Sequence, residues 1–263
     1  MKLPYDEDYL REMELWPFFA MSQQSLQISI IPTVIAEDAT PVPPVALRPQ
    51  SARPSLSPHA VQSTTYFAPP DPERAARIAK LDWDALKIEA ATCKACGLCK
   101  QRKQAVLGVG APEAPWLFVG EGPGGEEDDQ GEPFVGPAGK LLDAMLAATG
   151  LQRGREVYIA NVVKCRPPGN RNPSAEEALA CAPLLDRQID LVQPKLVVAL
   201  GKIALTRLTG SDASMASMRG KRHEYRGIPV IATYHPAYLL RNLPDKLKAW
   251  EDLMLAKKTM ASL

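Results

Sequence analysis

No apolar run in this 263-residue chain approaches the ~20 residues that a membrane span needs. A secretion signal is missing as well. Met1-Lys2-Leu3-Pro4-Tyr5-Asp6-Glu7-Asp8 has neither a basic start nor an apolar core, which predicts a cytoplasmic protein. In that reducing compartment structural disulfides are not expected, so the five cysteines need another explanation. No glycine-rich stretch continues into Gly-Lys-Ser or Gly-Lys-Thr, which counts against a P-loop enzyme using such a loop for phosphate. Net charge is nearly absent, with 31 Lys and Arg against 30 Asp and Glu, and a balance of that kind by itself points to no polyanionic partner.

The distribution of charge says more than its total. Asp6, Glu7, Asp8, Glu12 and Glu14 gather near the start, whereas Lys164, Arg166 and Arg171 flank one later loop and Arg219, Lys221, Arg222 and Arg226 another. A local patch of that sort can touch phosphates despite overall neutrality. Proline is distributed just as unevenly. Ten of the 25 lie between Pro32 and Pro72, among Ser, Thr, Ala and Val with little apolar periodicity, the composition of an extended, disordered linker. Residues 1–72 are thus expected to be an acidic arm and linker, and residues 73–263 one folded domain large enough for a sizeable core.

Within that domain the apolar runs alternate in type. Strands are expected at 116–119, 157–163, 196–200 and 230–233, and helices at 138–149, 174–192, 203–208 and 245–258. Ser174-x-x-Glu177 forms a capping box. Asp71-Pro72-Glu73 opens a further helix toward Ala90, with Asp as cap and Pro in the first turn. Strand and helix alternation predicts an α/β fold: a three-layer αβα sandwich around a central, mostly parallel four-stranded sheet, with the working loops at the carboxyl ends of the strands.

The most informative of those loops follows Trp116-Leu117-Phe118-Val119. Gly120-Glu121-Gly122-Pro123-Gly124-Gly125 leads through Glu126, Glu127 and Asp128 to Gly131-Glu132-Pro133-Phe134-Val135-Gly136. Glycine-rich backbone can approach a ligand closely and turn its N–H groups inward, although a lone glycine loop is equally a tight turn. Further strand ends carry Tyr158-Ile159-Ala160-Asn161, followed by Lys164-Cys165-Arg166-Pro167-Pro168-Gly169-Asn170-Arg171, then Val197-Val198-Ala199-Leu200-Gly201, then Thr233-Tyr234-His235-Pro236-Ala237-Tyr238-Leu239-Leu240-Arg241. Cys93-x2-Cys96 overlaps Cys96-x2-Cys99, and Cys165 and Cys181 follow far downstream. Four thiolates drawn from two regions suit a metal centre, either zinc or an iron–sulfur cluster, and spacing alone does not separate the two.

Taken in order, these motifs resemble the family 4 uracil-DNA glycosylases, the iron–sulfur branch of the uracil-DNA glycosylase superfamily. The resemblance runs from Ala91 to the last helix, roughly two thirds of the chain. It implies a monofunctional enzyme of base-excision repair that flips uracil out of DNA and hydrolyses its N-glycosidic bond; a non-catalytic DNA-binding module of the same fold is the alternative. It implies that Gly120, Glu121, Phe134, Asn161 and His235 hold the base. Phe134 offers a stacking ring, Asn161 an acceptor and a donor for N3–H and O4, and His235 a hydrogen bond to O2 as negative charge develops there.

Glu121, also placed to exclude the thymine methyl, Glu127 and His235 are the implied catalytic residues. Glu126 and Glu127 stay ambiguous, because the family often has an acid where this chain has Gly125. Arg166, Arg171, Leu239, Leu240 and Arg241 are implied to contact DNA, the leucines as a wedge filling the gap left by the flipped nucleotide. The ligands of a structural [4Fe-4S] cluster are implied at Cys93, Cys96, Cys165 and Cys181, with Cys99 spare. The enzyme is expected to act as a monomer. Leu15-Trp16-Pro17-Phe18-Phe19 and Gln23-Gln24-Ser25-Leu26 in the arm are candidate anchors for a repair or replication partner, the latter similar to sliding-clamp ligands.

Overall fold

The computed structural model describes residues 71–263; the arm, its candidate anchors and most of the proline-rich linker lie outside the described residues. Helices α1 (Pro72–Ile78) and α2 (Trp83–Thr92) open the fold. Asp71 caps α1 as expected, its carboxylate accepting from the Arg74 amide at 2.8 Å. The single helix expected toward Ala90 is instead two. Asp82 breaks it by accepting from the Ala85 amide at 2.9 Å, a second N-cap that starts α2 afresh.

The remaining elements are β1 (Gly108–Gly110), β2 (Trp116–Gly120), α3 (Gly125–Gln130), α4 (Pro137–Ala148), β3 (Val157–Asn161), α5 (Ala175–Val192), β4 (Leu196–Leu200), α6 (Lys202–Thr209), α7 (Met215–Met218), β5 (Arg222–Tyr225), β6 (Ile228–Thr233), α8 (Pro236–Leu239) and α9 (Lys246–Met260). The sheet has six strands in the order β1-β3-β2-β4-β6-β5. Its centre is the four parallel strands read from the sequence, β3, β2, β4 and β6. Two short antiparallel strands, β1 on β3 and β5 on β6, extend its edges. Both lack an apolar run: β1 is Gly-Val-Gly, and β5 is Arg-His-Glu-Tyr. The β5–β6 hairpin turns through Arg226 and Gly227, whose φ values of 51° and 81° are those of a two-residue turn with both central residues left-handed.

Every residue of β2, β3 and β4 is buried, as a sheet covered on both faces requires. Alternate side chains serve opposite layers. Leu117, Val119, Tyr158, Ala160, Val197 and Ala199 join a core with Leu86, Leu184, Leu185, Ile189 and Leu205. Trp116, Phe118, Ile159, Val198 and Leu200 join another with Leu142, Met145, Trp250 and Leu253. The three-layer sandwich follows from that alternation, and it leaves the carboxyl ends of the four parallel strands on one side.

Candidate active site

Those four strand ends open into one cavity of about 610 Å³, lined by Glu121, Glu127, Phe134, Asn161, Tyr234 and His235 among others. Four of the five residues expected at the base thus converge, and the fifth, Gly120, explains how. A Cβ on Gly120 would lie 2.4 Å from Asn161 Oδ1 and 2.6 Å from Phe134 Cζ. Only glycine lets the two side chains close on the strand end.

Asn161 ends β3 and is 1% exposed. Among the described residues its Oδ1 has no hydrogen-bond partner, a costly condition for a buried acceptor unless a ligand supplies the donor. Its backbone carbonyl accepts from Lys164 Nζ at 2.7 Å. Lys164 therefore does not belong to a phosphate-binding patch: it is buried, and burial brings its ammonium down to about 8 against the opposing pull of the Cys181 thiol. Phe134 stands beside His235 with ring centroids 5.4 Å apart and planes 30° from parallel.

His235 caps α8, its Nδ1 accepting from the Ala237 amide at 3.1 Å. That bond assigns the proton of the neutral ring to Nε2. Desolvation first, and the Arg241 charge second, lower its pKa to about 4 although Glu127 pulls the other way. The histidine is thus a neutral donor at physiological pH.

The acids separate clearly. Glu121 lines the cavity, and burial raises its carboxyl above the ordinary range. Glu127 also lines the cavity, but Oε2 accepts from the Gly124 amide at 3.0 Å and Oε1 from the Val135 and Gly136 amides at 3.0 and 3.1 Å. Glu126 is exposed, and buried Asp128 accepts from the Lys103 amide at 2.9 Å. Glu126, Glu127 and Asp128 sit on a short helix, α3, rather than on a loop. At Gly125, where the family often has an acid, a Cβ would come within 3.3 Å of the Arg166 guanidinium.

Arg171 and Arg241 line the cavity. Arg171 is held in a two-pronged pair with Glu177 at 2.8 and 2.7 Å, and Arg166 donates to Asn170 at 2.7 Å. The second basic loop is different, because Arg219 is engaged with Asp252 and Glu251 and Arg226 with Asp186 and Asp190. The expected wedge requires a correction. Leu239 is fully buried in the core with Leu142 and Trp250, so it cannot enter DNA from this position; Leu240 beside it is 41% exposed. Tyr234 and Tyr238 were not singled out for the cavity, yet both line it and stack on each other at 5.1 Å. Their position directly beside the histidine motif was the available signal.

All five cysteines line a second, small pocket together with Arg102 and Lys164. Cys93 accepts from Arg74 Nη2 at 3.2 Å, Cys165 from Arg102 Nη1 at 2.9 Å, Cys181 from the Lys164 amide at 3.3 Å, and Cys96 from the Leu98 amide. N–H donors aimed at sulfur are what metal-bound thiolates receive. Burial pushes the Cys181 thiol up to about 12, and a coordinated metal would offset that penalty. Among the described residues no three metal-binding side chains close on a single-ion point. A multi-iron cluster, in which each thiolate meets its own iron, needs no such convergence, so the donor set fits it.

The uracil DNA glycosylase superfamily model matches residues 107–254. The chain is 45% identical over 178 residues to a type-4 uracil-DNA glycosylase of Sulfurisphaera tokodaii, covering 64% of this chain and 80% of that protein. It is 46% identical over 169 residues to a type-4 uracil-DNA glycosylase of Thermotoga maritima, covering 63% and 88% respectively. A type-5 uracil-DNA glycosylase of Thermus thermophilus is 34% identical over 149 residues, covering 49% and 68%. With its strand-end cavity and its agreement in sequence, the chain belongs to the uracil-DNA glycosylase superfamily, in its type-4 family.

Proposed function

We propose that this chain is a monofunctional uracil-DNA glycosylase that starts base-excision repair. The observation that carries the reading is the buried Oδ1 of Asn161 on the cavity wall, which has no partner among the described residues. Uracil N3–H supplies the missing donor, and the same amide gives its N–H to O4. Cytosine presents an acceptor at N3 and a donor at C4, so it would oppose both groups. Phe134 stacks on the flipped base, and Glu121 stands where it can exclude a C5 methyl and position the attacking water. As the glycosidic bond breaks, negative charge gathers on O2 and positive charge on the sugar. A neutral His235 donating from Nε2 strengthens with that charge and so favours the transition state over the bound substrate.

Arg166, Arg171, Leu240 and Arg241 are assigned to the DNA around the flipped nucleotide. Cys93, Cys96, Cys165 and Cys181 would hold a [4Fe-4S] cluster, which supplies a structural crosslink and no redox step. One chain provides every group named, so a monomer suffices, and residues 1–72 are proposed to be an extension to a catalytic domain of 73–263. A cytoplasmic location is part of this proposal; among the described residues no helix is long and apolar enough to cross a membrane.

The test is incubation of the purified chain with oligonucleotides carrying a single uracil, thymine or cytosine, followed by alkaline cleavage. Abasic sites are expected from uracil alone. Binding of the uracil strand without abasic sites would instead support the non-catalytic module.

A further inference from the structure

Phe134 occupies the least favourable backbone conformation in the cavity, with φ at +56°, a left-handed value that a bulky aromatic rarely adopts. Such a conformation persists only where the surroundings over-determine it. Here side chains take hold of the backbone on both sides. Arg153 donates from Nη1 to the Pro133 carbonyl and from Nη2 to the Phe134 carbonyl, each at 2.8 Å. Glu127 Oε1 accepts from the next two amides, Val135 and Gly136, at 3.0 and 3.1 Å.

Both side chains are themselves anchored. Arg153 Nε pairs with Asp143 at 2.9 Å, and Glu127 Oε2 accepts from Gly124 at 3.0 Å. Gly139 leaves the room, because a Cβ there would fall 1.8 Å from the Phe134 carbonyl oxygen. Arg153 comes from the connection between α4 and β3 and Glu127 from α3, so two separate segments meet at one peptide. Neither hydrogen bond set could be found from spacing.

We propose that Arg153 and Glu127 form a two-sided brace that fixes the Phe134 ring for stacking on the flipped uracil. Both are positioning residues for base recognition, and Glu127 acts by holding the loop rather than by activating water. The brace rests on the reading of Phe134 as the uracil platform, so wild-type excision is measured alongside every variant. Absence of wild-type excision would retire that reading, whereas failure of the brace shows only in the variants.

Arg153→Gln and Glu127→Gln are each made alone and combined with Phe134→Ala, and kcat, KM and inhibition by free uracil are measured. With Phe134 present, each should lower kcat/KM by about tenfold, chiefly through KM, as expected for loss of a charged hydrogen bond that acts on binding. Inhibition by free uracil should weaken in parallel. In the Phe134→Ala background each should cost less than about twofold, because the ring they position is gone. An equal loss in both backgrounds would overturn the brace, as would a fall in kcat alone for Glu127→Gln. If Arg153→Gln does not fold at the assay temperature, Arg153→Lys decides. It keeps the charge without the planar fork, and its loss must likewise vanish with Phe134 removed.

Discussion

On the proposed reading, Asn161 is the residue on which uracil recognition turns, because its amide can match both N3–H and O4 and its Oδ1 has no hydrogen-bond partner among the described residues. Asn161→Asp keeps an acceptor but presents no donor to O4. It should lower uracil excision by about 100-fold while narrowing the preference over cytosine, whose amino group a carboxylate can accept. Excision of both bases is read from the same labelled strands; unchanged uracil activity with no gain on cytosine would make Asn161 a turn residue. His235 gives a prediction in pH. Its folded pKa near 4 lies below the unfolded value of 6.5, so between those values the unfolded chain binds a proton that the folded chain does not. Its contribution to stability is therefore fully present above pH 6.5 and lost as pH falls through 4. kcat should show no histidine inflection near 6.5, while denaturant midpoints decline below it. An inflection at 6.5 that disappears in His235→Gln would show instead that this histidine titrates normally.

Elements were legible in the sequence wherever burial imposed a pattern. The parallel strands and α5 stand where their apolar runs and capping box place them. Helix α5 begins on Ser174, whose Oγ accepts from the Glu177 amide at 3.2 Å while Glu177 returns to the Ser174 amide at 2.8 Å. Ser174→Ala should cost about 1 kcal/mol, measurable by urea titration of the folded domain; no change would mean that Arg171 and Glu177 hold this helix start unaided. The edges were illegible for the opposite reason. β1 is mostly glycine because a Cβ on Gly110 would lie 2.4 Å from the Val157 carbonyl oxygen. β5 is polar because it is largely exposed. Asp82, a helix breaker in plain sight, became informative only once its carboxylate was seen to cap α2. Leu239 and Leu240 are adjacent in one apolar motif, yet α8 turns the first into the core and the second outward. The site residues could be read individually, but Arg153, contributed by a surface connection, could not.

At the scale of the whole molecule, the cysteine pocket and the base cavity lie on the two sides of one short connection. Lys164 sits in that connection, its amide directed to Cys181 and its Nζ to the Asn161 carbonyl. The cysteines themselves come from the end of α2, the turn after it, the segment beyond β3 and the middle of α5. A centre that crosslinks them closes long stretches of chain, and removing one ligand should therefore loosen the domain and displace Asn161 together. Cys165→Ala and Cys181→Ala should each lose broad absorption near ~400 nm and bound iron, with a lower thermal midpoint. Cys99 lines the same pocket but is the one left spare by the ligand set that the family resemblance implies. Cys99→Ala should keep the colour, the iron and uracil excision. Bleaching by Cys99→Ala with retention of colour in Cys93→Ala would reverse the ligand assignment. A colourless protein holding one zinc would remove the iron–sulfur centre and leave the proposed uracil site standing, since zinc held by the same four thiolates would tie the same segments together.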